Sequence, residues 1–204
     1  MIKSIWIDNF KSLVDFELEL AEFSCLIGLN GSGKSTVLQA LDFLSQLMVG
    51  DLEAWLQLRQ WESADLNSKL TKKSNIDFKV VIELASSLDK ITWSGSINRS
   101  SLRCTQERVD YQGSVLLRVE GDEYSILGSL YSSKNTVFTR KFPIVFEYQG
   151  SILSQLKDKQ INVLLRALKQ SILQIRSLDL LSPELLRSRT KLSSGKLGLG
   201  GQHL

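Results

Sequence analysis

An α/β fold is predicted from three observations. Apolar and polar residues alternate with period two in several stretches, apolar residues at helical spacing follow one glycine-rich loop, and a second helical run lies toward the C-terminal end. The loop organises the rest. Gly28-Leu29-Asn30-Gly31-Ser32-Gly33-Lys34-Ser35-Thr36 fits G-x-x-x-x-G-K-[ST] at every fixed position. Its glycines turn successive backbone N–H groups, Ser32 included, into one cavity suited to phosphate oxygens. Lys34 brings a point charge to the β- and γ-phosphates, Ser35 offers a hydroxyl to Mg²⁺, and Thr36 backs the α-phosphate. A helix starting near Gly33 places its positive end behind them. The alternative is a glycine-rich turn with a chance lysine. The flanks argue against it: Phe23, Cys25, Leu26 and Ile27 read as a short buried strand, and Val37, Leu38, Leu41, Leu44 and Met48 recur at helical spacing.

The remaining elements follow in order. Ile2 to Ile7 reads as a strand, ending in a turn at Asp8-Asn9. Val14, Phe16, Leu18 and Leu20 alternate with Asp15, Glu17 and Glu19, a half-buried strand with one wet face. Two antiparallel strands thus precede the loop. From Asp42 to Lys73 the pattern is a looser helical one, with an amphipathic patch of Trp55, Leu56, Leu58 and Trp61 that covers the sheet or meets a partner. Phe78, Val80, Ile82 and Leu84 alternate, and strand-like runs follow at 91–97, 102–109, 115–119 and 124–126, an antiparallel meander broken at Gln112-Gly113 and Gly121-Asp122. Ser151 to Ile175 is the longest helical signal, with Ile161, Leu164, Leu165, Leu168 and Ile172 on one face. A short helix with Pro183 in its first turn is expected next, then a Gly- and Ser-rich tail.

The order Ile5-x-Ile7-x-Asn9-Phe10-Lys11-Ser12-Leu13, then Leu26-Ile27-Gly28-x-Asn30-Gly31-Ser32-Gly33-Lys34-Ser35-Thr36, resembles the N-terminal half of the ABC-type ATPases. The likeness is to those related to RecF, to structural-maintenance-of-chromosomes proteins and to overcoming-lysogenization-defect nucleases, within the group labelled AAA-15/AAA-21. The resemblance implies a P-loop lobe of ABC type, a mixed sheet with an antiparallel β-subdomain beside the adenine and ribose, and a helical C-terminal segment. It implies ATP and Mg²⁺ as ligands. Asn30 and the basic residue of the N-F-K turn, Lys11, become secondary site candidates; a solvated turn lysine is the alternative for Lys11. The family's glutamine that contacts Mg²⁺ and senses the γ-phosphate falls weakly on Gln106, for which an exposed strand position is the alternative, with Glu107 and Arg108 beside it as a surface pair. The domains expected are residues 1–150 as the ATP-binding lobe, 151–192 as the helical segment and 193–204 as a flexible, truncated tail.

Composition adds bounds. The chain has 204 residues, 43% hydrophobic and 23% charged, which suits one domain with a real core. A net charge of +3 leaves DNA as a partner unsupported by charge. Cys25 and Cys104 form no metal-binding spacing. No signal peptide and no apolar window long enough for a membrane span is visible, so a reducing cytoplasm is expected.

Hydrolysis by the family needs further parts. An apolar strand ending in Asp and followed by Glu orients Mg²⁺ and water. Ile144-Val145-Phe146-Glu147 is apolar then acidic, but no second acid follows, and Leu178-Asp179 lacks the apolar strand. Leu192-Ser193-Ser194-Gly195-Lys196 and Leu199-Gly200-Gly201-Gln202 each match only part of the L-S-G-G-Q signature, and His203 is the sole histidine, one residue from the end. The first reading is therefore an ATP·Mg-binding lobe of an ATP-gated clamp in DNA repair, chromosome maintenance or phage defence. It dimerises with itself or with a complete ATPase or nuclease half and binds ATP with little or no hydrolysis. The alternative is a non-catalytic interaction module or a degenerate partner of an intact ATPase. A kinase or GTPase is disfavoured by the lack of an N-K-x-D motif and by the strands before the loop.

Overall fold

The structure is a computed structural model that describes residues 1–84, 89–127 and 139–175. The expectations for Leu178-Asp179, Pro183, the tail from 193 to 204 and His203 lie outside the described residues.

Among the described residues, eight strands form one sheet. They are β1 (Ile2–Asp8), β2 (Phe16–Glu19), β3 (Asn75–Glu83), β4 (Lys90–Asn98), β5 (Arg103–Tyr111), β6 (Ser114–Glu120), β7 (Glu123–Leu127) and β8 (Thr139–Pro143). Their order is β2-β1-β3-β4-β5-β6-β7-β8. The alternating stretches became strands because each has one face to bury: in β3, Ile76, Phe78, Val80 and Ile82 point inward while Lys79 stays exposed. Register follows from this face. Ile5 and Ile7 of β1 stand opposite Val80 and Phe78, and Val80 stands opposite Trp93 of β4. Two-residue turns at Gln112-Gly113 and Gly121-Asp122 join β5, β6 and β7.

Among the described residues four α-helices cover the inner face: α1 (Lys34–Val49), α2 (Leu52–Leu58), α3 (Ile152–Gln155) and α4 (Val163–Leu173). Phe43, Leu44 and Leu47 of α1 and Leu165, Leu168 and Ile172 of α4 join the strands in one hydrophobic cluster. Leu38, expected on the buried face of α1, is exposed. Trp55 of α2 packs on Phe43 with ring centroids 5.9 Å apart, so this part of the amphipathic patch covers the core, while Leu58 points to solvent.

Among the described residues the ladders between the strands are antiparallel, as expected of the β-subdomain, with one isolated parallel bridge, Arg103 to Gly150. Several expectations are corrected. The run from Phe23 to Ile27 forms no strand, and Cys25, Phe23 (85% exposed) and Ile27 (91% exposed) lie in solvent. A continuous apolar strand is stable where neighbours cover its faces and pair its backbone. Here β1 already pairs with β2 on one edge and β3 on the other, and no strand among the described residues runs beside 23–27. The helical run from 151 to 175 is two helices, with Asn162 capping α4 by accepting from the backbone N–H of Leu165 at 2.9 Å. The strand near the end of the meander is 139–143, and Val145 is exposed beyond it.

Candidate nucleotide-binding site

The site is built from the turn after β1 and the loop before α1. Asn9 adopts the left-handed φ of 64° that its side chain tolerates, and it is fully buried. Its amide nitrogen donates to the carbonyls of Lys73 at 2.9 Å and Asn75 at 2.8 Å, and its oxygen accepts from the N–H of Ser68 at 3.2 Å and from the Thr71 hydroxyl. One side chain thus ties the segment before β3 to the turn. Phe10 then stacks on Phe43 of α1, centroids 5.0 Å apart. The N–H of Lys11 donates to the carbonyl of Leu66 at 2.8 Å, and the hydroxyl of Ser12 donates to that of Thr36 at 3.2 Å. Asp8, just before this turn, pairs with Lys73 and accepts from the N–H of Asp15. Burial raises its pKa, but Lys73 and that backbone bond outweigh burial and hold the carboxyl below its usual range.

The loop has the conformation its sequence predicts. Gly31 and Gly33 take φ of 81° and 91°, in the left-handed region that favours glycine. Gly33 is the N-cap of α1; no side chain caps this end and the first turn holds no acid. The N–H groups of that turn remain available to an anion. Lys34 Nζ donates to the carbonyls of Gly28 at 2.8 Å and Leu29 at 2.7 Å, and reaches Ser32 Oγ at 3.4 Å. The ammonium is thereby held over the loop's interior by its own backbone, and it pairs with no carboxylate among the described residues. Asn30 and Ser35 are exposed at the rim.

This cradle fits a polyphosphate: open donors, a positive helix end and an ammonium whose partners are weak carbonyl acceptors. It also fits Mg²⁺, which takes few protein ligands alongside phosphates and water; the Ser35 hydroxyl would supply one. Among the described residues no group of three His, Cys, Asp or Glu could hold a metal alone.

An open cleft of about 590 Å³, lined by Lys11, Ser12, Trp61 and Asn67 among others, adjoins the loop. Lys11 Nζ sits 3.1 Å from the Trp61 ring centroid. Behind it, buried Asp42 of α1 accepts from Trp55 Nε1 at 2.8 Å and from the Arg59 guanidinium at 2.6 Å, which also lies over Trp55 and Trp61. Lys11 therefore joins the loop's neighbourhood through Ser12 and Thr36. Trp61 and Asn67 were not singled out as site residues by the sequence; Trp61 read as part of an amphipathic patch.

Gln106 and Glu147 lie elsewhere. Gln106 is exposed on β5 between Ser96 and Glu120, three strand spacings from β1 in the sheet order, roughly 14 Å. Glu147 lines a polar cleft with Gly50 and Asp51, at the opposite end of α1 from Lys34. Glu107 is no surface residue: it is buried, and its carboxylate accepts from Trp93 Nε1 at 2.8 Å, from the Ser151 hydroxyl and from the N–H of Ile152 at 2.9 Å. Burial raises its pKa against the pull of those three bonds. Arg108 pairs instead with Asp110.

The loop from Gly28 to Thr36 and the helix that follows it have the form of a phosphate-binding P-loop. The chain belongs to the AAA ATPase domain family, AAA_15, whose sequence pattern matches residues 1–182. It is similar to the OLD nuclease of Thermus scotoductus, 31% identical over 113 residues, which is 54% of this chain and 19% of that protein. The chain thus spans about a fifth of that relative's length. Among solved structures it is similar to the recombination mediator RecF with ATP, at 21% identity and TM-score 0.39, covering 57% of this chain and 28% of that one. It is also similar to an SMC ATPase, at 18% identity and TM-score 0.40, covering 56% and 70%. No helix among the described residues is long and apolar enough to cross a membrane.

Proposed function

We propose that this chain is the ATP·Mg-binding lobe of an ABC-type ATPase that works as an ATP-gated clamp. The loop from Gly28 to Thr36 holds the triphosphate, Ser35 takes Mg²⁺, and Lys11 lies alongside. The observation that carries this reading is Lys34, turned over the loop and bonded, among the described residues, to the backbone carbonyls of Gly28 and Leu29 and to Ser32 Oγ. A phosphate oxygen is the stronger acceptor for an ammonium and replaces those carbonyls at little cost. ATP supplies the anion around which a second lobe closes; this chain supplies the donors that orient it. Residues 1–150 form the lobe, with α3 and α4 as its helical extension.

The exposed apolar run from Phe23 to Leu29 favours completion of the lobe by further polypeptide, a second copy or a complete ATPase or nuclease half. Apolar surface of this kind, rimmed by polar residues, marks an interaction site. The work is that of DNA repair, chromosome maintenance or phage defence, in the cytoplasm, and DNA contact belongs to the assembled clamp. A second reading, a non-catalytic module that keeps ATP as a structural ligand, is favoured by one observation: Glu147 lies beside Gly50 and Asp51, at the end of α1 opposite Lys34.

The test is calorimetric binding and turnover of Mg·ATP on the purified chain, beside Lys34→Ala. The expected result is binding without appreciable turnover, lost in Lys34→Ala. Unchanged affinity in that variant refutes the assignment. ATP-dependent dimerisation in light scattering supports the clamp, and a monomer at every ATP concentration supports the non-catalytic module.

A further inference from the structure

The two edge strands of the sheet, β2 and β8, match each other. Among the described residues neither pairs with a strand on its outer side, so each presents free backbone donors and acceptors. Cross-strand pairing carries rows of side chains from one edge to the other. On the face that holds the core, one row starts at Phe16, opposite Ile7 of β1, and ends at Phe142, opposite Tyr124 of β7. Phe142 stacks on Tyr124 with centroids 5.2 Å apart and remains 38% exposed, while Phe16 is half-buried. On the opposite face the adjacent row starts at Glu17, opposite Trp6, and ends at Lys141, opposite Ser125. Glu17 and Glu19 on β2, and Arg140 and Lys141 on β8, are exposed, and none pairs with an opposite charge among the described residues.

We propose that β8 of one copy takes β2 of the next as an added antiparallel strand, so that the chain self-associates head to tail through a continuous sheet. The seven ladders from β2 to β8 are all antiparallel, so the two edges run in opposite directions and joining them continues the alternation. Setting Phe16 opposite Phe142 of the neighbouring copy also sets Glu17 opposite its Lys141. One face of the seam then gains an aromatic pair and the other an opposite-charge pair, each of which stabilises a strand pair. In the same register Leu18 meets the aliphatic stem of Arg140. A slip by one residue loses both matches. Charge also selects against the other pairings. β2 on β2 sets glutamates together and β8 on β8 sets cations together, and like charges across a ladder are unfavourable. Charges on exposed edges ordinarily keep strands apart; opposite signs on the two edges of one sheet leave the head-to-tail arrangement open. Such an interface is heterologous, so each added copy presents a new free edge and growth passes the dimer. β2 has four residues, so the seam is short and the association is weak and concentration-dependent. It uses neither the phosphate loop nor nucleotide, and is separate from closure around ATP.

The experiment is sedimentation velocity of the full chain over a concentration series without nucleotide. The weight-average mass is expected to rise with concentration past that of a dimer and to fall with added salt. Glu17→Lys and Lys141→Glu should each weaken association about tenfold, because an opposite-charge pair becomes a like-charge one. An equimolar mixture of the two variants should restore it, since each supplies the edge that the other has lost; this recovery also shows that both variants are folded. Lys34→Ala should associate as wild type does. A wild type that stays monomeric at every concentration, a mass that levels off at the dimer, or a mixture that recovers nothing overturns the proposal. Association that appears only with ATP, or that Lys34→Ala removes, overturns edge pairing and favours the clamp as its source.

Discussion

Two glycines with the same backbone conformation should respond differently to the same methyl group. Gly31 in the phosphate loop has φ of 81°, and a Cβ built there meets nothing within 4 Å. Gly150 has φ of 69°, and its Cβ would stand 2.3 Å from the carbonyl oxygen of Leu47 and 2.9 Å from Leu47 Cα. That oxygen cannot retreat easily, because it belongs to α1 and accepts from the N–H of Ser151 at 2.8 Å. Both substitutions by alanine incur the left-handed penalty, roughly 1–2 kcal/mol. Gly150→Ala adds an overlap with fixed backbone, about 1–3 kcal/mol more, for a total of roughly 2–5 kcal/mol. Equilibrium urea denaturation reads the difference directly. Binding should split the other way. Gly31→Ala moves loop N–H groups that aim at phosphate, so Mg·ATP affinity falls while most stability remains. Gly150 lies beyond the far end of the 16-residue α1, about 24 Å from the loop, so folded Gly150→Ala binds ATP as wild type does. Equal loss of stability in the two variants, or loss of ATP affinity in Gly150→Ala at temperatures where it is folded, would refute the geometry of both sites.

Asp42→Ala should cost about 3–5 kcal/mol, toward the lower end because Arg59 keeps its contacts with Trp55 and Trp61; thermal unfolding checks it. Glu107 gives a pH signature: its folded pKa is raised, so its contribution to stability is fully present below the ordinary value of 4.5 and is lost as pH rises through the raised value. Glu107→Gln should flatten that fall in a pH series of urea midpoints. Asp8 works with the opposite sign: its folded pKa is lowered, so its contribution is present above 3.8 and is lost as pH falls. Asp8→Asn should make acid unfolding less steep.

Much of the site was legible in the sequence because it is local. Gly31, Gly33 and Lys34 lie within one turn of chain, and the motif encodes their backbone geometry in adjacent positions. The strands of the meander were legible for the same reason, since period two names one inward face. What failed was knowledge of neighbours. Phe23 to Ile27 reads as a buried strand because its composition suits one, but burial is a property of the surroundings, and no neighbouring strand among the described residues covers it.

Glu107 shows how a local signal can be present and still be overruled. Counting back by two from buried Val109 puts Glu107 on the core face, and the structure keeps that parity. The strand changes face only further on, where a register shift pairs Ile97 with Cys104 after Ser96 with Gln106. An acid at an inward position looks wrong until its donors are known, and two of them, Ser151 and Ile152, lie 44 and 45 residues away. The same holds for Asn9, whose partners are 64 and 66 residues off, and for Lys11 over Trp61. In each case the polar group that fixes the site is recognisable by type, while the partner that gives it a role is supplied by the fold. The cleft lined by Lys11, Ser12, Trp61 and Asn67 is therefore visible only in the assembled chain.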